Sequence, residues 1–230
     1  MNSILSYIQP FLLNLVYPNH CLACNDVFSG GDCGICDSCL NTLEPTELGN
    51  WIDQVTNPTD IDKAFSGWYF NLTLQKVIHS LKYQERAKLG CELGRVLGQL
   101  LPLSTVGTLD LLLPVPLYPA KKRDRGYNQA MWITKGLSET WDVPMKPHII
   151  QRTKFTKSQT KLSVNERQKN MENAIKVRKK LSGKTIGIVD DVLTTGSTIS
   201  SCAAQCKKQG ASSVVAITCS TPKMTVETSC

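Results

Sequence analysis

Apolar positions along this chain follow two rhythms, and each predicts a different kind of element. Leu74, Val77, Ile78 and Leu81 share one face at helical spacing, so "LQKVIHSLKYQERAKLGCELGRVLGQLL" predicts one or two amphipathic helices. "LDLLLPVP" and "KTIGIVDD" are instead unbroken apolar runs, the pattern of strands buried on both faces. "KAFSGWYF" and "SSVVAITC" read as two further strands. Helices are expected from about Asn128 to Glu139 and from about Thr198 to Lys208, the second closed by Gly210. Strands alternating with helices predict an α/β domain with a mostly parallel sheet and helices on both faces. In such a sheet ligands bind at the carboxyl ends of the strands. No internal repeat interrupts this order.

The first part of the chain reads differently. "MNSILSYIQPFLLNLVYP" is apolar but is broken by Gln9, Pro10 and Asn14, and it has neither a basic start nor a small-residue cleavage site. It is expected to be a short helix packed on the body rather than a membrane span or signal peptide, with an interfacial anchor as the other reading. Residues 1–45 therefore form an expected N-terminal helix and cysteine module. Residues 46–62, "TELGNWIDQVTNPTDID", read as a polar linker, and residues 63–230 as the α/β domain. A cytoplasmic location is expected.

Five of the ten cysteines fall between residues 21 and 39. Structural disulfides do not suit a reducing compartment, so metal binding comes first. Cys21-x2-Cys24 and Cys36-x2-Cys39 are two knuckles that together can close a tetrahedral zinc site. Cys33 also forms a CxxC with Cys36, but Cys36 and Cys39 lead into the helix-like "LNTLE", which leaves Cys33 spare. Redox chemistry through one CxxC is the alternative. The zinc is read as structural, because so few apolar residues cannot fold this segment alone. Cys91, Cys202, Cys206 and Cys219 read as small buried residues. Cys230 carries no reading.

Charge divides the chain. Residues 1–62 contain no Lys or Arg and eight acids, while the remainder holds 26 basic and 11 acidic residues. A basic second part suits phosphates or nucleic acid, or is simply a solvated Lys-rich face. The acidic cysteine module is not expected to face DNA.

The strand "TIGIV" ends in Asp190 and Asp191, and Thr194-Thr195-Gly196-Ser197-Thr198 leads into the next helix. Backbone N–H groups at a helix start, a glycine permitting close approach and hydroxyl donors together read as a phosphate site, with Asp and Thr capping the helix without a ligand as the other reading. No Gly-Lys-Ser/Thr follows, so it is not a Walker loop. "IVDDVLTTGST" resembles the phosphoribosyl-pyrophosphate (PRPP) signature of type I phosphoribosyltransferases. "PVPLYPAKKRDRGYNQA" and "RTKFTKSQTKLSVNERQKNMENAI" resemble two sequence blocks of the ComF family of competence proteins, with the related ComFC and GntX-type proteins. A four-cysteine zinc module before the transferase-like domain is also similar to that family.

The resemblance implies a type I phosphoribosyltransferase fold, mostly parallel and doubly wound, with a hood over the ligand at residues 152–175. Gln159, Arg167 and Asn170 repeat the family pattern in that hood, and surface helix is the other reading of them. Asp190 and Asp191 would contact the ribose hydroxyls of PRPP with its Mg²⁺, and Thr194, Thr195, Gly196, Ser197 and Thr198 would hold its 5′-phosphate. Val115, Arg123 and Arg125 are expected at the pyrophosphate end, where Arg suits bidentate phosphate contacts. Asn128 and Gln129 either hold ligand or cap the helix. Lys121, Lys122, Lys154, Lys157 and Lys161 are the expected nucleic-acid contacts. Two functions follow from the resemblance. One is a cytoplasmic protein of natural transformation that binds PRPP, single-stranded DNA and other competence or DNA-processing proteins. The alternative is an active Mg-dependent phosphoribosyltransferase with an unknown nitrogenous acceptor.

Overall fold

The eight residues Thr185–Val192 (β5) form the centre of a four-stranded sheet, and four of them in a row, Ile186 to Val189, are buried. The strand order is β1 (Lys63–Tyr69), β6 (Ser213–Thr221), β5, β2 (Leu111–Pro114), and every pairing is parallel. The computed structural model describes residues 20–28, 34–47, 49–55, 58–83, 87–119, 123, 126–153 and 174–223. The expected N-terminal helix, Cys33 and Cys230 lie outside these, as do Lys121, Lys122 and Arg125. So do Lys154, Lys157, Lys161, Gln159, Arg167 and Asn170 of the expected hood.

Side chains of a strand alternate between faces, and here both faces are apolar. Leu112, Val189, Val215 and Ile217 join one core; Leu111, Leu113, Ile186, Ile188, Val214 and Ala216 join the other. The first core takes the helices α2 (Leu72–Tyr83), α3 (Ala87–Leu100) and α5 (Gln129–Trp141). Leu74, Val77, Ile78 and Leu81 are all buried in it, as their spacing predicts. The long helical stretch is thus two helices, with a one-turn helix, α4 (Leu103–Val106), after them. The second core takes α6 (Ser197–Lys208).

Close approach of α3 and α5 depends on glycine. A Cβ on Gly136 would lie 2.0 Å from the Cys91 carbonyl oxygen, and one on Gly94 would lie 2.1 Å from that of Ile133. Side chains form the ridges that normally keep two helices apart, and glycines at the crossing remove them so that the backbones can touch. This contact fixes where the start of α5 meets the sheet. Beyond β2, Met145 bridges Leu112, and β3 (Ile150–Arg152) pairs antiparallel with β4 (Ile175–Val177).

The cysteine module, with the short helix α1 (Asp37–Leu40), sits directly on this body. Cys21, Ala23, Ile35 and Leu43 belong to the same core as Leu74 and Leu81, and the Lys76 ammonium donates to the Ala23 carbonyl at 2.6 Å. The segment expected as a linker is fastened by its backbone. Thr46 N–H donates to Gly67 O at 2.9 Å, and Trp51 N–H to Ala64 O at 2.7 Å. A 3₁₀ turn, Ile52–Gln54, then delivers Val55 into the second core. Among the described residues no helix is long and apolar enough to cross a membrane.

Candidate functional site

Parallel register brings the carboxyl ends of β2 and β5 together. Pro114 pairs with Val189, and the next N–H, of Val115, donates to Val189 O at 2.8 Å. Asp190 and Asp191 therefore emerge beside the end of β2. Consecutive strand residues point to opposite faces, and the two carboxylates separate accordingly. Asp190 lines a small cleft of about 80 Å³ together with Thr194, Thr195, Gly196, Ser197 and Thr198. Asp191 is only 6% exposed and lies toward α5, with Gln129 Nε2 at 3.5 Å from its Oδ2. The Asp191 N–H donates to Asp190 Oδ1 at 2.9 Å and orients that carboxylate.

The loop after β5 is shaped for close approach. Gly196 has φ +68°, the left-handed region that favours glycine, and serves as the N-cap of α6 without any side-chain cap bond. Thr195 Oγ1 lies 2.8 Å from Ser197 Oγ. The helix begins at Ser197, one residue before the expected start, and carries Lys207 and Lys208 at its far end. Ser197 N–H donates to Thr195 Oγ1 at 3.4 Å, and a helix start of this kind presents N–H donors and a positive dipole end to an anion. Asp190 on the other wall can face hydroxyls or a cation. The predicted acid and loop residues thus meet in one cleft, apart from Asp191, whose position beside Gln129 sets it on the α5 side.

Val115 is buried, its N–H on Val189 and its carbonyl accepting from Asn128 Nδ2 at 2.9 Å. Asn128 Oδ1 meanwhile accepts from Ala130 N–H at 3.1 Å, so Asn128 is the N-cap of α5 and ties that helix to the end of β2. Arg123 lines a second, larger cleft of about 680 Å³ with Pro116, Leu117, Met131, His148, Gln151 and Arg152. Arg152 is the first residue of the expected hood, whereas Gln151 had no reading because β3 is three residues long, too short for a period to register, and His148 formed no recognisable constellation in the sequence. The "RTKFTKSQT" block beginning at Arg152 was the available signal.

The four cysteines Cys21, Cys24, Cys36 and Cys39 bring their sulfurs within 4.8 Å of one another. Sulfurs on a tetrahedron with metal bonds of about 2.3 Å stand about 3.8 Å apart. Cys24 Sγ and Cys36 Sγ are 3.8 Å apart, so the donor set fits such an ion. Burial alone would raise the Cys21 thiol, but N–H groups of Cys24, Cys36 and Ala23 aimed at its sulfur hold it down to about 6. Burial and the neighbouring thiols push Cys39 up to about 12. A cation among the four removes that mutual opposition. Cys91, Cys202, Cys206 and Cys219 are buried, as expected.

No protein-family model matches the chain. Over 104 residues the chain is 36% identical to competence protein F of Haemophilus influenzae, covering 44% of this chain and 45% of that protein. Over 146 residues it is 34% identical to the DNA utilization protein YhgH of Escherichia coli K12, covering 61% and 64%. Both are homologues of this chain. The matched region spans less than two thirds of either homologue. Among solved structures, the chain is similar to the allosteric regulatory enzyme of purine biosynthesis, with TM-score 0.42, 16% identity and coverage of 60% of this chain and 29% of that one. A hypoxanthine phosphoribosyltransferase from Staphylococcus aureus gives TM-score 0.36 and 16% identity over 60% and 68%.

Proposed function

We propose that this protein acts in DNA uptake in the cytoplasm, binding PRPP with Mg²⁺ at the cleft behind β5 and single-stranded DNA on its basic surface. The observation that carries the PRPP reading is the meeting of Asp190 with the Thr194–Thr198 loop in one cleft. A sugar phosphate needs both partners a few ångströms apart. Its hydroxyls and metal suit the carboxylate, and its 5′-phosphate suits the start of α6. Asp191, which faces Gln129 on the α5 side of β5, would itself help to hold the Mg²⁺-bearing ribose from that side. Mg²⁺ would supply charge neutralisation at the pyrophosphate, where Arg123 and Arg125 add bidentate contacts. The names of the homologues, a competence protein and a DNA utilization protein, support the DNA side of the reading. So does the excess of 26 basic over 11 acidic residues beyond residue 62. The four-cysteine site is read as structural zinc.

One observation favours an enzyme as second reading. The cleft of about 680 Å³ opens at the end of β2, next to the strand that carries Asp190, and has an apolar floor of Pro116, Leu117 and Met131. Such a space suits a flat acceptor ring beside the sugar. Transfer needs no general base from the protein if the acceptor nitrogen is already nucleophilic. Catalysis would then rest on positioning and on charge stabilisation of the departing pyrophosphate.

Calorimetry of PRPP–Mg²⁺ and of a single-stranded oligonucleotide, on wild type and on the pair Asp190→Asn/Asp191→Asn, tests the proposal. The double variant is expected to lose about two orders of magnitude in PRPP affinity, taking about 1.5 kcal/mol for each charge-assisted contact. Its oligonucleotide affinity should hold. Wild type that fails to bind PRPP at low salt ends this reading. Pyrophosphate release with a panel of nitrogenous bases decides for the enzyme.

A further inference from the structure

We infer that Gln54 and Val55, on the segment that follows the cysteine module, are positioning residues for the anion loop. This rests on the proposed binding of a phosphate at that loop. Sequence offers no hint of it, since "WIDQV" lies 140 residues before the loop in a stretch with the look of a linker. The structure brings the two together through three contacts.

The first is steric. Val55 is 4% exposed, and its Cγ1 would lie 2.7 Å from a Cβ built on Gly196. The branched side chain therefore rests on the bare Cα of the residue whose left-handed backbone opens α6. The second contact is polar. Thr221 Oγ1, at the end of β6, donates to Gln54 Oε1 and also lies 3.3 Å from Leu193 O, the first carbonyl of the loop. The third is the anchoring of the segment itself. Asn50 Oδ1 accepts from Ala64 N–H at 2.8 Å and Trp51 N–H donates to Ala64 O at 2.7 Å, which pins the 3₁₀ turn to β1 immediately before Gln54.

The consequence is a loop supported from below at its beginning and at its glycine. A phosphate-holding loop must present its N–H groups in one geometry, and its own hydrogen bonds are few. Thr195 Oγ1 and Ser197 Oγ lie 2.8 Å apart, and Ser197 O accepts from Ser201 Oγ at 2.9 Å, bonds that stay within the loop and the first turn of α6. The backbone freedom that Gly196 brings has to be removed by a neighbour, and Val55 is the side chain placed to remove it. Because Glu44, Pro45, Thr46 and Trp51, which follow the cysteine module, pair with β1, the support reaches the loop from that module.

The test uses the full chain with three variants of the support and one control. Val55→Ala and Gln54→Ala should each weaken binding of PRPP–Mg²⁺ and of inorganic phosphate about tenfold, the scale of loss from a sub-ångström misplacement of binding groups. Val55→Thr keeps the branched shape against Gly196 and should retain affinity within about twofold, although its buried hydroxyl lowers the melting temperature. Val106→Ala, an equally buried valine of the other core, should lower the melting temperature without changing affinity. Amide exchange is read on the same proteins without ligand. In Val55→Ala the amides of residues 193–198 should exchange about tenfold faster, with β5 and α5 unchanged. Unaltered exchange at 193–198, or unaltered phosphate affinity in a folded Val55→Ala, overturns the inference. Wild type that binds neither ligand while Val55→Ala loosens the loop overturns the proposed function and leaves the positioning role standing.

Discussion

A methyl group at position 196 meets two obstacles at once. The backbone there stands at φ +68°, and Val55 Cγ1 is 2.7 Å from where the carbon would go. The left-handed conformation alone costs an alanine roughly 1–2 kcal/mol, and the overlap adds to it. Gly196→Ala is therefore expected to lose about 2–4 kcal/mol of stability and measurable phosphate binding. The paired variant Gly196→Ala/Val55→Ala should recover part of that loss, because the second change opens the space. A denaturant double-mutant cycle reads this coupling, and strictly additive losses would deny the contact. Residue by residue, the grouping of the loop was the most legible part of the site: Asp190 and Thr194 to Thr198, read together from the sequence, do line one cleft. Its support was not legible. Nothing in the type or spacing of Val55 marks it, since its role comes from a contact between residues 141 positions apart. The burial of Asp191 against Gln129 was hidden for the same reason.

Elements with a strong period emerged from the pattern nearly at their true bounds. β1 was expected at residues 63–70 and is Lys63–Tyr69; the last helix was expected at 198–208 and is Ser197–Lys208. The paired three-residue strands β3 and β4 gave no signal, and the pairing of Glu44, Pro45, Thr46 and Trp51 with β1 was hidden because it runs through the main chain, whose bonds leave no trace in side-chain polarity. One ion pair shows how the element ends are held. Asp62, just before β1, accepts from Val214 N–H at 2.6 Å and meets the Lys207 ammonium at 2.9 Å, joining the end of α6 to the start of β6. Partial burial would raise its pKa, but Lys207, the Val214 N–H and the Ser213 hydroxyl hold it below the usual carboxylate range. A depressed folded value means that the contribution is complete above the unfolded value near pH 4 and is lost as pH falls through the folded one. The difference in stability between wild type and Asp62→Asn should accordingly be constant from about pH 5 to pH 7 and shrink below about pH 4. For so exposed a pair the charge contribution should stay below about 1 kcal/mol. A difference that grows on acidification would reverse the sign assigned here.

At the scale of the whole molecule, the paired CxxC knuckles announced a four-cysteine cluster able to hold a metal, but not what that cluster packs against. Ala23, Ile35 and Leu43 are too few and too scattered to predict a shared core, yet they pack with Leu74, Val77 and Leu81 of the main body. Glu44, Thr46 and Trp51, which follow the knuckles, bond to β1, and Val55 then rests on Gly196 of the loop after β5. Loss of an ion held there should then be felt everywhere in the fold rather than in a detached finger. A metal held at about a thousand times its dissociation constant adds about 4 kcal/mol to stability. For a chain of this size that corresponds to roughly 10 °C in melting temperature. Chelation under reducing conditions, or Cys36→Ser, should therefore lower one cooperative transition by about that amount and weaken phosphate binding with it. Two separate transitions, with the larger one unmoved by chelator, would mean that the module folds by itself and that the anion loop does not depend on it. A calorimetric scan of the same sample with metal restored distinguishes the two outcomes, because only a shared core returns the main transition and the phosphate affinity together.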